Sequence, residues 1–144
     1  MKTIDKLAWI EIQNKTILST RSRGKDTFYI PGGKRESGES DYEALIREIK
    51  EELSVDLIEN SIQYLGTFEA QAHGHTEGIL VKMTCYTANF KGELNPASEI
   101  EEMTWLTSAD KDIISPVDVL IFNYLKNMDK IKWPIDFILK DFMR

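Results

Sequence analysis

Four residues capable of metal and phosphate chemistry stand within two turns of one predicted helix: Arg47, Glu48, Glu51 and Glu52. At about 100° per residue, the three glutamates form a strip beside an apolar face. Like charges four residues apart destabilise a helix by about 0.2 to 0.5 kcal/mol, so Glu48 and Glu52 are costly unless a cation binds between them. Hard divalent cations prefer oxygen ligands. A solvated acidic face is the alternative.

The loop before this helix favours the metal-binding interpretation. It contains a glycine pair at 32–33, followed by Lys34 and Arg35. Glycines let backbone groups approach a ligand closely, and the N-terminus of a helix favours anions. Ser40 and Glu43 have the S-x-x-E spacing of a capping box, which predicts that the helix begins there. A loop suited to phosphates therefore leads directly into a helix suited to a cation.

Residues 33–55 resemble the signature of the Nudix hydrolases, G-x5-E-x7-R-E-U-x-E-E-x-G-U, in which U is a bulky aliphatic residue. All but one of the fixed positions are filled, by Gly33, Glu39, Arg47, Glu48, Ile49, Glu51, Glu52 and Val55. The exception is Ser54, where the family has glycine. A glycine would suit a left-handed residue at the helix end, and serine costs about 1 kcal/mol in that conformation but removes no ligand.

The resemblance implies a function for each position of this Nudix box. Glu48, Glu51 and Glu52 would be metal ligands for Mg²⁺, with Mn²⁺ as an alternative, and the Gly32 carbonyl would be a possible backbone ligand. Glu48, or a carboxylate at 99–102, would deprotonate or orient the attacking water. Arg47 would complete the catalytic group, mainly by pairing with Glu43 or Glu51 and so aiming the carboxylates. Glu39, at the start of the helix, would reach the metal shell through water.

Candidate substrate-binding residues lie in the box loop and outside it. Lys34 and Arg35 are placed to bind phosphates, and Arg23 belongs to a basic loop just upstream that is otherwise a solvated turn. Many Nudix hydrolases supply one further carboxylate from outside the box. Glu102, in the acidic cluster at 99–102, is the candidate for that carboxylate, although solvated glutamates are the default there. His73 and His75 fall in a predicted turn, where we do not expect metal ligands.

The remaining pattern predicts an α+β domain. Residues 4–22 are expected to form two antiparallel strands with a turn at 13–15, and residues 27–30 another strand. A long β-hairpin is expected at 61–89 and a final strand at 98–106. A short helix capped by Thr107 or Ser108 should precede an amphipathic helix from Pro116 to about Met128. Residues 133–144 are expected to form a terminal helix that packs on the core or on a second subunit.

The resemblance narrows this class to the Nudix fold, a mixed β-sheet sandwiched between α-helices, with residues 1–144 as a single domain and the box at 33–55. Nudix hydrolases act on a nucleoside diphosphate linked to another moiety. Ala70 and Gln71 stand where ADP-ribose pyrophosphatases usually have proline. We therefore expect a MutT-like nucleoside triphosphate pyrophosphohydrolase that gives a monophosphate and pyrophosphate. The alternatives are a nucleotide-sugar, ADP-ribose or capped-RNA pyrophosphohydrolase, and a sensor that binds a nucleotide without cleaving it.

Composition excludes several other classes of protein. The net charge of −6 argues against a general nucleic-acid surface. The apolar runs are too short to span a membrane, and the first residues lack the apolar stretch of a signal peptide. Cys85 is the single cysteine, which rules out an intrachain disulfide. We therefore expect a cytoplasmic protein without membrane partners, and leave a homodimer open.

Overall fold

The structure is a computed structural model that describes residues 2–132. The strands assigned in this part of the chain are Thr3–Trp9 (β1), Ile12–Gln13 (β2), Thr16–Ser22 (β3), Gly32–Gly33 (β4), Asp56–Leu57 (β5), Gln63–Gln71 (β6), Leu80–Thr87 (β7), Phe90–Lys91 (β8) and Ile100–Leu106 (β9). Its α-helices are Asp41–Leu53 (α1) and Pro116–Asn127 (α2), and 3₁₀ helices cover Glu59–Ser61 and Ser108–Ile113. The terminal helix expected at 133–144 lies outside the described residues.

The largest sheet has the strand order β4-β1-β7-β6 and is mixed. Strand β1 runs parallel to β7 and antiparallel to β4, and β6 and β7 form an antiparallel pair. Strands β2, β3 and β9 form a second, antiparallel sheet, and β5 pairs with β8. The glycine strand β4 is therefore an edge strand held beside β1.

Alternation along β1 sends side chains to both faces of the largest sheet. Leu7 and Trp9 join a core cluster with the apolar face of α1. Ala8 and Ile10 join the other cluster, which contains the apolar face of α2. The sheet thus lies between the two helices, and the predicted α+β fold with a mixed sheet sandwiched between α-helices is confirmed.

The pairing predicted for the first two strands was wrong. Strand β1 pairs with β4 and β7 instead of β3. The antiparallel hairpin through the turn at Asn14 and Lys15 is short and consists of β2 beside β3, with one further hydrogen bond from the Leu18 amide to the Glu11 carbonyl. The strand predicted at 27–30 is reduced to isolated bridges at Phe28 and Tyr29. The reason is that alternation shows which faces a strand buries but does not show which strand lies beside it.

Local signals in the second half were more informative. The hairpin predicted at 61–89 is the β6–β7 pair, and the last predicted strand is β9. Thr107 caps the 3₁₀ helix through a capping box with Asp110, and Pro116 opens α2. Cys85 is fully buried. No helix within residues 2–132 combines the length and hydropathy that a membrane crossing requires.

Candidate active site

Helix α1 carries the carboxylates, and its sequence determines where it begins and ends. The Ser40 hydroxyl accepts the Glu43 amide while the Glu43 carboxylate accepts the Ser40 amide, which is the predicted capping box. Ala44, Leu45, Ile49 and Leu53 are fully buried against the sheet. Ser54 ends the helix at φ 67°, the left-handed conformation expected at that position. The apolar face thus fixes the rotation of α1, and Glu48 and Glu52 turn toward β4.

Strand β4 lies very close to β1 and α1 because its two residues are glycines. A Cβ on Gly32 would fall 2.0 Å from the Leu7 carbonyl oxygen of the neighbouring strand. One on Gly33 would lie 2.4 Å from the carboxyl carbon of Glu48. The Gly32 amide donates to Glu52 Oε1 at 3.0 Å. The glycine pair therefore leaves the space that both carboxylates occupy.

Glu52 is a buried carboxylate with little compensation. It is 6% exposed. Burial raises its pKa to about 8, with smaller contributions from the charges of Glu48 and Glu99, while the Gly32 amide and the Lys6 charge act in the opposite direction. Burial also raises the pKa of Glu48, and its hydrogen bond to Arg47 opposes the rise. A cation beside these groups would relieve the cost of ionising them.

Arg47 holds the carboxylates around it. Its guanidinium binds both oxygens of Glu39, with Nε–Oε2 at 2.7 Å and Nη2–Oε1 at 2.8 Å. It also donates to Glu48 at 3.0 Å and reaches Glu51 at 3.5 Å. The expected pairing with Glu51 is present, whereas Glu43 is used in the capping box instead. Because Arg47 lowers the pKa of Glu39 to about 2, Glu39 stays ionised and anchors Arg47.

An open cleft lies beside these groups, with a volume of about 220 Å³. Gly32, Gly33 and Glu52 line it from the box, and Glu99 lines it from the acidic cluster. Within residues 2–132, no three His, Cys, Asp or Glu side chains are already gathered closely enough to enclose a cation. Glu51 is 54% exposed and Glu48 is held by Arg47, so a bound cation would have to draw these carboxylates together. The available donors are oxygens throughout, which suits a hard divalent cation.

A family model of the NUDIX domain matches residues 7–116. The chain belongs to the Nudix family. It is therefore a Nudix hydrolase, an enzyme that hydrolyses phosphoric anhydride bonds. The family acts on nucleotide derivatives.

Solved structures with the same fold include the Escherichia coli ORF135 protein, at 23% identity over 90% of this chain and 92% of that chain, with a TM-score of 0.70. A Nudix hydrolase family member from Chromobacterium violaceum is 22% identical over 99% of this chain and 89% of that chain, with a TM-score of 0.69. A MutT protein from Methanosarcina mazei Go1 is 16% identical over 90% and 96%, with a TM-score of 0.70. At these identities the likeness shows the fold alone. A search of curated proteins found no match.

The four substrate-binding candidates of this Nudix domain have different surroundings. Lys34 and Arg23 are exposed. Arg35 pairs with Asp41 at 2.5 Å and with Asp5 at 3.4 Å. Glu102 pairs with Arg21 at 3.0 Å, and it is Glu99 from the same cluster that lines the cleft. Two of the four thus have ion-pair partners within the domain.

Three residues beside the Nudix box were missed in the sequence. Lys6 and Tyr29 line the cleft, and Asp118 is fully buried with Oδ2 accepting the Ile30 amide at 2.9 Å. Burial raises the pKa of Asp118 to about 7. Its other oxygen, Oδ1, has no hydrogen-bond partner of acceptable geometry within residues 2–132. A buried aspartate in the first turn of an amphipathic helix was the available signal, because such a residue requires a partner.

Proposed function

We propose that this Nudix hydrolase cleaves nucleoside triphosphates to a monophosphate and pyrophosphate with Mg²⁺ as the cofactor, Mn²⁺ being the alternative metal. The observation that carries the proposal is the buried Glu52. Within residues 2–132 the hydrogen bond to its carboxylate comes from the Gly32 amide, and burial beside Glu48 raises its pKa. A carboxylate in that environment gains most from a divalent cation, and a cation is what a polyphosphate needs to approach an acidic site. MutT proteins are among the structures that share the fold.

In this proposal Glu48, Glu51, Glu52 and the Gly32 carbonyl hold the cation. When bound, it neutralises phosphate oxygens and lowers the pKa of water. Glu48 accepts the proton of the attacking water, with Glu99 as the second candidate because it lines the same cleft. A new oxygen–phosphorus bond forms, the bridging phosphorus–oxygen bond breaks, and the nucleoside monophosphate leaves. Arg47 acts by fixing Glu48 and Glu51 rather than by meeting the substrate.

The remaining expectations belong to the same proposal. Lys34 and Arg23 bind phosphates from exposed positions, while Arg35 and Glu102 must exchange a partner within the domain for a substrate group. Residues 1–144 act as one Nudix domain in the cytoplasm, where nucleotides are abundant, and a homodimer is compatible with this activity. The alternatives are a nucleotide-sugar, ADP-ribose or capped-RNA pyrophosphohydrolase, and a nucleotide sensor.

Calorimetry and product release together test the proposal. We expect nucleoside triphosphates to bind weakly without Mg²⁺ and much more tightly with it, because the cation would neutralise the phosphate oxygens beside the carboxylates of the cleft. Pyrophosphate release should rise with pH and then level off as the base deprotonates. The panel should contain the four common triphosphates, a nucleotide sugar, ADP-ribose and capped RNA. Tight Mg²⁺-dependent binding without release from any of them would leave the sensor, and release unaffected by chelator would exclude the metal mechanism.

A further inference from the structure

Lys6 is a half-buried lysine whose ammonium has no hydrogen-bond or ion-pair partner within residues 2–132. It lies on β1, in register with Met83 of β7. Alternation places it on the same face of the sheet as Ala8, the face covered by α2. A lysine that lines a cleft without a direct ion-pair partner is available to bind an anionic ligand.

Two cavities meet at Lys6. The first is the cleft beside the Nudix box, which contains Gly33 and Glu52. The second, of about 160 Å³, is lined by apolar side chains of β1, β7 and α2 and by polar groups at Gln71, His73, His75 and Ser115. Lys6, Tyr29 and Met83 line both. A ligand that extends from the box into the second cavity must therefore pass Lys6.

Two carboxylates lie near Lys6 without pairing with it. Its charge lowers the pKa values of both Glu52 and Asp118, which places it within electrostatic reach of each. Glu52 Oε1 instead accepts the Gly32 amide and Asp118 Oδ2 accepts the Ile30 amide. The ammonium at the junction of the two cavities is therefore available to an anionic ligand.

We propose that Lys6 binds the phosphate next to the nucleoside of a nucleotide substrate, with the nucleoside in the second cavity. The ligand's identity as a nucleotide rests on the proposed function. The second cavity combines apolar walls with polar side chains that could orient a small molecule. Tyr29 offers an aromatic surface there, beside His73 at a ring-centroid distance of 6.2 Å. Lysine ammonium groups commonly bind phosphate in proteins.

Binding measurements that need no turnover test this inference. The ligands are AMP, GMP, CMP and UMP with Mg²⁺, and the matching nucleosides are measured by competition. The variants are Lys6→Gln and Lys6→Arg, with Lys82→Gln as the matched control because Lys82 lies on the adjacent strand, in register with Asp5, and lines neither cavity. Melting temperatures check that each variant folds.

We expect Lys6→Gln to weaken monophosphate binding about 10- to 100-fold, the loss expected for one hydrogen bond to a charged group. Nucleoside binding should be unchanged, Lys6→Arg should keep most of the affinity, and Lys82→Gln should behave as wild type. Equal losses for monophosphates and nucleosides, no loss at all, or no monophosphate binding by the wild type would overturn the inference. If the protein hydrolyses nucleotides but the variants show no such binding differences, the inference about Lys6 is wrong and the proposed function stands. If the binding differences are found but no nucleotide is hydrolysed, the proposed function is wrong and the inference about Lys6 stands.

Discussion

At the scale of single residues, the site consists of carboxylates that differ mainly in burial. Glu52 is buried and has a raised pKa, whereas Glu39 is held by Arg47 and has a lowered one. Without a cation, Glu52 is therefore largely protonated at pH 7, while Glu39 is ionised. Residues of one type thus differ in their roles: Glu39 anchors Arg47, whereas Glu52 has no ion-pair partner within residues 2–132.

Replacing Glu52 separates catalysis from stability. Glu52→Gln should lower turnover at least about 10²-fold, because a metal ligand acts on the transition state. The fold should remain, since glutamine still accepts the Gly32 amide and replaces a group that is mostly neutral at pH 7. Steady-state kinetics and urea unfolding are the measurements. Glu51→Gln should be nearly as damaging.

The control for this prediction is Glu59→Gln, which removes an exposed charge that lies outside the box and does not line the cleft. It should change neither turnover nor stability. Near-normal activity in a folded Glu52→Gln protein would remove Glu52 from the proposed metal site.

At the scale of elements, the sequence predicted features formed by neighbouring residues but not the pairing of strands far apart in the chain. The capping box at Ser40, the left-handed Ser54 and the hairpin between β6 and β7 all follow from residues close in sequence. The choice of Glu39 as the main partner of Arg47 depends on how the box loop folds back onto α1, which spacing along a helix does not show. Sequence reasoning thus located α1 and its carboxylates but misjudged what holds Arg47.

Ser54 provides a test of the helix end. Ser54→Gly should stabilise the protein slightly, by less than about 1 kcal/mol, because glycine relieves the left-handed strain but gains freedom in the unfolded chain. The hydrogen bond from the Ser54 hydroxyl to the Asn95 carbonyl at 3.2 Å is lost and reduces the gain. Urea unfolding measures the difference.

The comparison for Ser54 is Lys50→Gly in the last turn of the same helix, where glycine should destabilise by about 1 kcal/mol. A loss of similar size in Ser54→Gly would mean that the serine is not strained at this position.

At the scale of the whole molecule, the site depends on residues far apart in sequence. Lys6, Tyr29 and Ser115 line one cavity because β1, β7 and α2 pack together. The spacing of these three residues along the chain does not indicate that they lie close together. The predicted pairing of β1 with the next strand in sequence also gave no reason to place Lys6 near α2. The Nudix box could therefore be found from the sequence, whereas the second cavity required the structure.

The buried Asp118 should make stability depend on pH. Its pKa is raised in the folded protein to about 7 from an ordinary 3.8, so the folded state holds a proton that the unfolded state has lost between these values. The resulting stabilisation is complete below about pH 4 and disappears as pH rises through about 7. Relative to Asp118→Asn, the wild type should lose a few kcal/mol of unfolding free energy across this window.

Urea unfolding at intervals from pH 4 to 8 measures this difference, and subtracting the variant removes the contribution of other groups such as Glu52. Asp112→Asn, at an exposed position in the adjacent 3₁₀ helix, is the control and should follow the wild type. Parallel curves for the wild type and Asp118→Asn would contradict the assignment.

The parallel pairing of β1 with β7 also determines when the chain can fold during its synthesis. Thr3 pairs with Leu80 and Trp9 with Tyr86, so β1 lacks its long partner until β7 has left the ribosome. Until then the strand has only the two residues of β4 beside it, and Leu7 and Trp9 have no complete sheet to join. Contacts so distant in sequence are slow to form and leave apolar surface exposed meanwhile. The first half of the chain, which includes the Nudix box, is therefore synthesised before the sheet on which helix α1 packs is complete.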